Sequence, residues 1–580
     1  MRRSIRRRPV DPAIAVVGVA DPLLARIYAA RGITDVSELD RSLARLAPPD
    51  AMPGIDVAAS RLADALEAGE RIVVVGDYDA DGATSSALAL RALRALGADG
   101  CTFLVPNRFE HGYGLSPALV AVAAQRNPSL ILTVDNGIAA HEGVEAAAQH
   151  GIDVIVTDHH LPGDVLPPAY AIVNPNLDAS KFPSRSLAGV GVIFYVMVAL
   201  RAELRARGWF HARRLVEPNL GELLDLVALG TVADVVAFDR TNRALVHQGL
   251  LRIRAGRACA GIRALFEVAG RDPARATSSE LGFVIGPRIN AAGRLDDIGQ
   301  GVRCLLEDDP AHARVMAIEL DTLNRDRRAI EEGMQQEALR LIADVAAQDQ
   351  DLPWGMCLHR DDWHQGVVGL VAARIRERHH RPVIAFATGD AGELKGSARS
   401  IPGLHIRDTI AAVAAAAPQS VNRFGGHATA AGLTINAECF DMFASAFDRE
   451  VRARLCLTDL EHVLESDGEL AVEDFTLGRA EQLRDAGPWG QHFPEPLFDG
   501  EFLLAAQRIV GGRHLRMRVK PYVEPACELE AIAFNVDLSQ WPNPGVRQVR
   551  LAYRLDVNAW RGERTLQLLV EEVQVAPHTS

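Results

Sequence analysis

Three short runs of mostly β-branched residues, each followed at once by acidic or histidine residues, constrain this chain more than any other feature. The runs cover residues 71–75, 130–134 and 153–157, and they show no alternation of polar and apolar positions. Runs of this kind are typical of strands buried on both faces of a parallel sheet. The sequence therefore predicts a doubly wound α/β sheet, in which ligands bind at the carboxyl ends of the strands.

The positions directly after these strands concentrate negative charge and imidazole. They are Asp77, Asp79 and Asp81 after the first run, Asp135 after the second, and Asp158, His159 and His160 after the third. Because the carboxyl ends of parallel strands meet at one edge of a sheet, these side chains should converge. Like charges held that close repel each other unless a cation compensates them. The sequence therefore predicts a metal site at this edge.

Each of these residues also has an ordinary structural explanation. A single carboxylate before a helix is a common N-cap, but an extended segment with Asp77, Asp79 and Asp81 on one side, before a helix near Ala83, is not explained that way. Asp234 lies in the apolar stretch 229–236, where a carboxylate needs a charged partner or a metal. Asp158 is placed to hold a histidine tautomer rather than to bind metal itself.

The donor set is mainly oxygen with one imidazole. This mixture suits Mn²⁺ or Mg²⁺ better than Zn²⁺, and the glutamate that a calcium loop needs is missing. Several carboxylates can hold two cations about 4 Å apart, which activate water for phosphoryl displacement. The seven cysteines are scattered without a C-x-x-C pair, so reduced thiols in a cytoplasmic protein are expected.

Length and charge set the broad organisation. A chain of 580 residues is too long for one core, and it contains no run of roughly 18 apolar residues that would predict a membrane span. The net charge of −13 argues mildly against general nucleic-acid binding, although a local basic groove would suffice. The arginine-rich segment 2–8 is expected to be a solvated flexible arm.

Patterning along the chain predicts five segments in an α/β multidomain protein. Strand and helix alternate over 55–175, residues 309–347 form a charged stretch poor in Pro and Gly, and short strands punctuated by Pro and Gly end the chain. The predicted segments are 1–50 (arm and helix), 51–308 (doubly wound catalytic domain with a helical extension), 309–349 (long connecting helix), 350–455 (second, smaller α/β domain) and 456–580 (small β-barrel).

At this point the motifs resemble a known family. Asp79-x-Asp81, Asp135, Asp158-His159-His160 and Asp234, in this order, are similar to the four motifs of the DHH phosphoesterase superfamily. Within it, residues 76–82 resemble the RecJ family of single-strand-specific DNA exonucleases. Small-substrate members carry a histidine at the position of Val75, so either Asp77 or a water is expected to fill that ligand place.

The resemblance implies a fold and a function. The fold is a DHH domain, a DHH-associated domain and an OB-type barrel. The activity is 5′-to-3′ hydrolysis of single-stranded DNA to 5′-mononucleotides by two metal ions, Mn²⁺ or Mg²⁺, in DNA repair and recombination. A helicase and a single-strand-binding protein are expected partners of a monomer. The implied metal ligands are Asp77, Asp79, Asp81, Asp135, His159 and Asp234, and the implied catalytic residues are His160, Asp158 and Asp135.

Further segments extend the resemblance toward substrate binding. The family pattern assigns Arg108, Ser397 and Arg399 to a pocket for the 5′-terminal phosphate. Gly425 and Gly426 would let backbone amides approach a phosphate, aided by a following helix, although an ordinary turn with His427 as a packing residue competes. The remaining predicted contacts are Arg288, Asn290 and Arg294 in a loop, with Tyr78, Phe109 and Tyr113 as candidates for base stacking. The four arginines of a helix end are expected to be solvated instead: Arg374, Arg376, Arg378 and Arg381.

Two alternatives stay open at this stage. One is a DHH phosphodiesterase of oligoribonucleotides or cyclic dinucleotides, against which the chain length and Val75 argue. The other is a scaffold of the Cdc45 type, which lacks a full metal set, whereas the acidic set here is intact.

Overall fold

The computed structural model describes residues 3–9, 16–106, 114–347, 352–389, 392–560 and 563–575. These residues divide into two compact units. The N-terminal unit comprises Val10–Asn324 with Glu481–Pro496, and the C-terminal unit comprises Met1–Pro9, Arg325–Ala480 and Leu497–Ser580.

The strands are β1 (Ser4–Arg7), β2 (Ile72–Val75), β3 (Cys101–Leu104), β4 (Leu130–Val134), β5 (Asp153–Thr157), β6 (Ala171–Val173), β7 (Met356–Arg360), β8 (Val383–Thr388) and β9 (Glu393–Arg399). They continue with β10 (Arg423–Gly426), β11 (Ala430–Asn436), β12 (Val463–Ser466), β13 (Phe498–Val510), β14 (His514–Pro521), β15 (Leu529–Ala533), β16 (Gln548–Trp560) and β17 (Glu563–Val575).

The α-helices are α1 (Pro22–Ala29), α2 (Ile55–Ala68), α3 (Ala80–Ala95), α4 (Pro117–Ala124), α5 (His141–Gln149), α6 (Gly189–Ala206), α7 (Trp209–Arg213), α8 (Leu224–Ala233), α9 (Arg240–Arg254) and α10 (Ala260–Val268). They continue with α11 (Ser278–Glu280), α12 (Gly286–Leu295), α13 (Gly299–Leu306), α14 (Pro310–Ala347), α15 (Val368–His379), α16 (Ile406–Ala416), α17 (Phe440–Arg454) and α18 (Leu477–Ala486). A short π-helical turn, Leu281–Ile285, lies between α11 and α12.

The N-terminal unit is built on a parallel sheet of order β3-β2-β4-β5-β6. Apolar residues of α4 and α5 form a core with one face of the sheet, whereas α3 contacts β2 and β4, and α6 contacts β4 and β5. The predicted doubly wound sheet is thus confirmed. Since β2 is followed by β3 on one side and β4 lies on its other side, the strand order reverses between β2 and β4. Such a switch point opens a crevice at the carboxyl ends of the strands.

The C-terminal unit holds a mixed sheet and a barrel, as predicted. The sheet has the order β10-β11-β9-β8-β7, and the barrel closes in the order β13-β14-β15-β17-β16. Apolar side chains of α16 and α17 form the core with one face of the sheet, whereas α15 contacts β8 and β9. Alternate residues of β9 are therefore buried in this core, and Ser397 and Arg399 point to the opposite side.

The long helix α14 joins the two units. Its 38 residues correspond to about 57 Å at the rise of an α-helix. Residues up to Asn324 belong to the N-terminal unit, and residues from Arg325 belong to the C-terminal unit. Across the described part of the chain, no helix combines the length and the apolar character needed to cross a membrane.

The basic N-terminal segment is not a solvated arm over the residues described. Residues 4–7 form β1, which pairs in parallel with β12. Arg3 bonds the carboxylate of Glu572 at 2.9 Å, and Arg7 bonds that of Asp499 at 3.0 Å. The expectation was wrong because the carboxylates that neutralise these arginines lie hundreds of residues away along the chain.

Candidate metal centre

The acidic residues meet where the topology predicts. Strands β2, β4 and β5 are neighbours, and their carboxyl ends lead into Asp77, Asp135 and Asp158. Asp135 takes a left-handed backbone conformation, with φ of 62°, which aspartate tolerates better than most residues. The switch point between β2 and β4 therefore carries carboxylates on both sides.

Two donor groups consist mainly of carboxylates, and a third group, Asp135 with His159 and His160, shares one residue with each of them. Asp77, Asp79 and Asp135 each offer an oxygen, and these three atoms lie within 4.8 Å of one another. Asp81, His159 and Asp234 form a second group within the same limit. His159 Nε2 lies 3.1 Å from Asp135 Oδ1 and 3.6 Å from Asp234 Oδ2. Asp135 is thus next to both groups, the place of a bridging ligand.

The motif after β2 differs from the predicted extended segment. Helix α3 begins at Ala80, so Asp79 is its N-cap and accepts a hydrogen bond from Gly82 N at 3.0 Å. Asp81 lies in the first turn, and its two oxygens accept bonds from the amides of Gly189 and Val190 at 2.7 and 2.9 Å. The early helix start turns Asp81 toward the second donor group while Asp77 and Asp79 remain in the first.

The donor atoms show the properties of metal ligands. Asp135 Oδ1, His159 Nε2 and Asp234 Oδ2 are buried, and among the described residues none of them has a hydrogen-bond partner. Burial and the neighbouring carboxylates raise the pKa of Asp81, Asp135 and Asp234 above the usual aspartate value. The ion pairs of the described residues include no lysine or arginine with these three carboxylates. Oxygen donors with one imidazole, and with no lysine or arginine paired to them, fit divalent Mn²⁺ or Mg²⁺.

Asp158 orients the histidines instead of joining a donor group. Its carboxylate accepts bonds from Ile138 N at 2.9 Å, His159 N at 2.7 Å and His160 Nδ1 at 2.7 Å. Burial disfavours the protonated His160 ring, but the hydrogen bond and charge of Asp158 outweigh it and raise the pKa of His160 to about 9. His160 is therefore a positively charged group beside the carboxylates.

Several supporting residues escaped the sequence reasoning. The side-chain amides of Asn174 and Asn176 donate to the carbonyls of His160 and His159 at 2.8 and 2.6 Å. Asn136 Nδ2 ties the end of β2 to the end of β4 through Val75 O at 3.0 Å and Val134 O at 2.9 Å. The signal that could have found the first two is Asn174-Pro175-Asn176, a polar cluster directly after β6.

Two glycines let helices approach the ligands closely. A Cβ on Gly230 of α8 would lie 2.8 Å from Asp81 Oδ1, and one on Gly189 of α6 would lie 2.5 Å from Asp135 Cβ. Any larger residue would push the helix away from the carboxylate. This close packing depends on tertiary structure, so the local sequence gave no indication of it.

The segment 286–294 is a helix, α12, and not the predicted loop. Arg288 is 8% exposed and its guanidinium lies 2.9 Å from Asp321 Oδ1, so the prediction of an open DNA-backbone contact is wrong for this residue. Asn290 Oδ1 accepts a hydrogen bond from Ala80 N at 2.8 Å, inside the aspartate motif. A substrate role for Arg294 stays a prediction.

In the C-terminal unit, Ser397 and Arg399 form a candidate anion site by themselves. Arg399 Nη1 donates to Ser397 Oγ at 3.0 Å, and both side chains lie under the first turn of α15, where a Cβ on Gly369 would come within 2.9 Å of each. The described ion pairs give Arg399 no carboxylate partner, and burial together with Arg376 lowers its pKa. A buried guanidinium that has no carboxylate partner and lies at a helix N-terminus favours the binding of an anion there.

The glycine-rich segment lies beside this site. Gly425 pairs with Gly432 and Gly432 with Ser397, so the three residues form one row across the sheet. A Cβ on either glycine would meet nothing within 4 Å. The segment continues as a β-hairpin, so the predicted following helix was wrong; the helix N-terminus near Ser397 is that of α15. His427 donates its amide to Ala430 O within the hairpin.

The arginines of α15 form ion pairs, and three other predicted residues lie outside the described residues. Arg374 pairs with Glu331 at 2.9 Å and with Glu377 at 3.2 Å, and Arg376 pairs with Glu377 at 3.4 Å. The expectation of a solvated charge is wrong for Arg374, because its partner Glu331 of α14 has a side-chain exposure of only 8%. The pair of Arg376 with Glu377 lies near the helix end, as expected. Arg108, Phe109 and Tyr113 lie outside the described residues.

Comparison with known proteins agrees with this architecture. The profile of the DHH family, N-terminal domain, matches residues 71–231, that of the DHHA1 domain residues 345–453, and that of the RecJ OB domain residues 466–572. Together with the sheet order and the two donor groups, these matches define a DHH-family protein.

Relatives that match nearly the whole chain show to which members of the DHH family it is similar. Proteins named single-stranded-DNA-specific exonuclease RecJ from Salmonella typhimurium and Escherichia coli are each 53% identical to the chain, over 99% and 98% of it and 99% of their own length. The structure of RecJ in complex with Mn²⁺ from Thermus thermophilus matches with a TM-score of 0.78 and 31% identity, over 100% of this chain and 80% of that one. The chain belongs to the RecJ family of single-stranded-DNA-specific exonucleases.

Proposed function

We propose that this chain is an exonuclease specific for single-stranded DNA, which hydrolyses phosphodiester bonds from the 5′ end, releases 5′-mononucleotides and acts in DNA repair and recombination. The observation that carries this proposal is the pair of donor groups around Asp135 at the switch point of the sheet. The relatives that match nearly the whole chain carry the single-strand-specific activity in their names.

Two divalent cations are the proposed cofactors, with Mn²⁺ preferred over Mg²⁺. Asp77, Asp79 and Asp135 would hold one, and Asp81, His159 and Asp234 would hold the other, with Asp135 shared. When bound, two such cations activate water and neutralise charge that develops on a phosphoryl group. The Thermus thermophilus relative was solved in complex with Mn²⁺ and in complex with Mg²⁺.

The protein's own groups prepare the site for a phosphodiester. Asp158 fixes the His160 ring through Nδ1, and its hydrogen bond and charge raise the pKa of His160 to about 9. A protonated imidazole beside the donor groups can donate a hydrogen bond to a phosphate oxygen or supply a proton to the leaving oxygen. We therefore assign His160 to the substrate phosphate and Asp158 to the orientation of His160.

We assign the anion site of the C-terminal unit to the 5′-terminal phosphate. Arg399 offers a buried guanidinium, Ser397 a hydroxyl and α15 an N-terminus, while Gly425 and Gly432 leave the adjacent row of the sheet open. The family pattern adds Arg108. A site that recognises a terminal phosphate would give the enzyme its direction along the strand.

The other proposed properties follow from the family. Single-stranded DNA with a 5′ end is the substrate, the barrel holds the outgoing strand by stacking and charge, and a helicase and a single-strand-binding protein supply and present that strand. We also propose a monomer that works in the cytoplasm, with the five segments 1–50, 51–308, 309–349, 350–455 and 456–580 as its working domains.

One assay separates the proposed function from its rivals. The protein is incubated with Mn²⁺ and with 5′-phosphorylated single-stranded DNA, the matched duplex, and a dinucleotide. Rapid mononucleotide release from the single strand alone is expected. Preference for the dinucleotide would indicate a small-substrate phosphodiesterase, and no cleavage of any substrate would indicate a scaffold.

A variant of the anion site adds a test of direction. Arg399→Gln should raise KM about tenfold for 5′-phosphorylated DNA and much less for 5′-hydroxyl DNA, because one charge-assisted contact is lost. Equal effects on both substrates would remove Arg399 from the phosphate site. Asp361→Asn serves as a matched control, because this side chain is 95% exposed and lies in neither site.

A further inference from the structure

Helix α12 contacts the aspartate motif through a side-chain cap. Asn290 Oδ1 accepts a hydrogen bond of 2.8 Å from Ala80 N. Ala80 is the first residue of α3, where backbone amides have no partner within the helix. It also lies between Asp79 and Asp81, so this one bond holds the backbone at the point where the chain passes from one donor group to the other.

A second contact from the same helix fixes the motif one step earlier. A Cβ on Gly293 would lie 2.1 Å from Tyr78 O, so the backbones of α12 and the motif touch directly at this place. Residues three apart on a helix share a face. Asn290 and Gly293 therefore present one surface of α12 to residues 78–80.

The π-helical turn before α12 and the first residue of α12 contact the other ligand-bearing element, α8. A Cβ on Gly286 would lie 3.1 Å from Ala233 Cβ, and one on Gly282 would lie 3.2 Å from Val232 Cγ1. Ala233 directly precedes the metal-ligand candidate Asp234. Residues 282–293 thus contact both the motif after β2 and the end of α8, the two chain segments that supply Asp81 and Asp234 to one donor group.

An ion pair anchors this segment from behind. Arg288 Nη2 lies 2.9 Å from Asp321 Oδ1, and Arg288 Nη1 donates to Val284 O at 2.5 Å. Both partners are shielded, with side-chain exposures of 9% for Arg288 and 14% for Asp321. Asp321 belongs to the part of α14 that lies within the N-terminal unit, so the long helix holds α12 in its place.

We propose that Asn290 is a positioning residue for the metal centre, which acts through Ala80 N to set the distance between the two donor groups, and that the Arg288–Asp321 pair anchors the helix that carries it. The inference rests on the proposed two-metal function but assigns Asn290 to the protein backbone and not to DNA. A residue that positions the backbone and a residue that contacts DNA predict opposite effects of the conservative substitution Asn290→Asp on catalysis.

The experiment compares Asn290→Ala with Asn290→Asp in the full-length protein. Mn²⁺ binding is measured by calorimetry without DNA, and kcat and KM are measured on single-stranded DNA. Asn290→Ala should weaken Mn²⁺ binding about tenfold and lower kcat at least as much, with KM nearly unchanged, because one buried hydrogen bond is lost. Asn290→Asp keeps an oxygen acceptor for Ala80 N, so its Mn²⁺ affinity and its kcat should both be close to those of the wild type.

A direct contact between Asn290 and a DNA phosphate predicts the reverse. Asn290→Ala would then raise KM without changing Mn²⁺ affinity, and Asn290→Asp would raise KM further because its charge repels the phosphate; this result overturns the proposal. If the wild-type protein cleaves no DNA, the proposed function fails, but the Mn²⁺ titration still decides the role of Asn290.

Two further variants complete the test. Asn219→Ala removes another asparagine cap, which accepts from Gly221 N at 3.1 Å at the opposite end of α8 from Asp234. It should leave Mn²⁺ affinity and kcat unchanged. Asp321→Asn, which is isosteric, should weaken Mn²⁺ binding and lower kcat with KM nearly unchanged, as Asn290→Ala does, but by a smaller factor. Unchanged Mn²⁺ affinity in this variant would overturn the anchoring role.

Discussion

Two buried carboxylates, Asp135 of the N-terminal unit and Asp499 of the C-terminal unit, differ in how the protein neutralises their charge. Asp499 is fully buried, and it receives Arg7 Nε at 3.0 Å, Arg550 Nη2 at 2.7 Å and Ser466 Oγ at 2.5 Å. Asp135 is 2% exposed, its charged neighbours are other aspartates, and His159 Nε2 lies 3.1 Å from its Oδ1.

The pKa shifts follow from these surroundings. Burial would raise the pKa of Asp499, but the hydrogen bonds from Arg7, Ser466 and Arg550 outweigh it and hold the pKa below the usual value. Burial and the charges of Asp81 and Asp79 both raise the pKa of Asp135. A buried carboxylate that the protein itself neutralises is structural, whereas one that it leaves uncompensated marks a place for an external cation.

The largest effect should come from Asp135→Asn. Loss of the shared ligand removes several kcal/mol of transition-state stabilisation, so turnover of single-stranded DNA should fall by about a thousandfold or more. The metal-free variant should nevertheless be at least as stable as the wild type, because a repulsive charge is gone. Thermal melting in EDTA measures the stability of the variant, and the exonuclease assay measures its turnover. A variant that loses stability but keeps turnover would show that Asp135 is a structural residue and not a metal ligand.

Asp499→Asn should do the opposite. It removes the buried carboxylate from Arg550 and leaves Arg7 with Glu469 alone, at a cost of about 3 kcal/mol, near the lower end for buried pairs because Arg7 is half exposed and keeps this second partner. Denaturant unfolding measures this loss, and Mn²⁺ affinity should not change. A variant as stable as the wild type would show that the arginine cluster contributes nothing to the fold.

Mn²⁺ should stabilise the wild-type protein. At a free concentration one hundred times Kd, binding to the folded state adds about 2.7 kcal/mol to the free energy of unfolding. The increase should be absent in Asp135→Asn and intact in Asp499→Asn, as melting with and without Mn²⁺ will show. An equal increase in all three proteins would indicate binding elsewhere.

The smallest effect concerns pH. Since the folded-state pKa of Asp499 lies below its unfolded value of about 3.9, its contribution to stability is complete above about pH 5 and is lost as the pH falls through the folded-state pKa. The Asp499→Asn variant should therefore lose less stability than the wild type as the pH falls from 5 to 3. Parallel pH profiles of unfolding would contradict this linkage.

Much of the metal centre could be predicted from sequence because its signal is local. Uninterrupted β-branched runs mark buried parallel strands, and the residues after them must meet at one sheet edge, which brings Asp77, Asp135 and Asp158 together. The exact start of α3 could not be predicted, because it depends on the caps that Asp79 and Asn290 provide.

The residues that were missed or misjudged have partners far away along the chain. Gly189 and Gly230 are needed only because their helices meet the ligands in space. From sequence the N-terminal arginines appear solvated, but in the folded protein β12 and the barrel provide carboxylates that pair with them. Arg288 appears from sequence to be free to contact DNA, but in the folded protein it pairs with Asp321 of α14. Such pairings are decided by tertiary structure, and no local pattern indicates them.

The central claim is that the uncompensated carboxylates hold two cations with Asp135 between them. Anomalous diffraction from crystals grown with Mn²⁺ tests it most directly. The account predicts two manganese peaks about 4 Å apart, one beside Asp77 and Asp79 and the other beside Asp81, His159 and Asp234, with Asp135 contacting both. A single peak, or two peaks that Asp135 does not join, would contradict it.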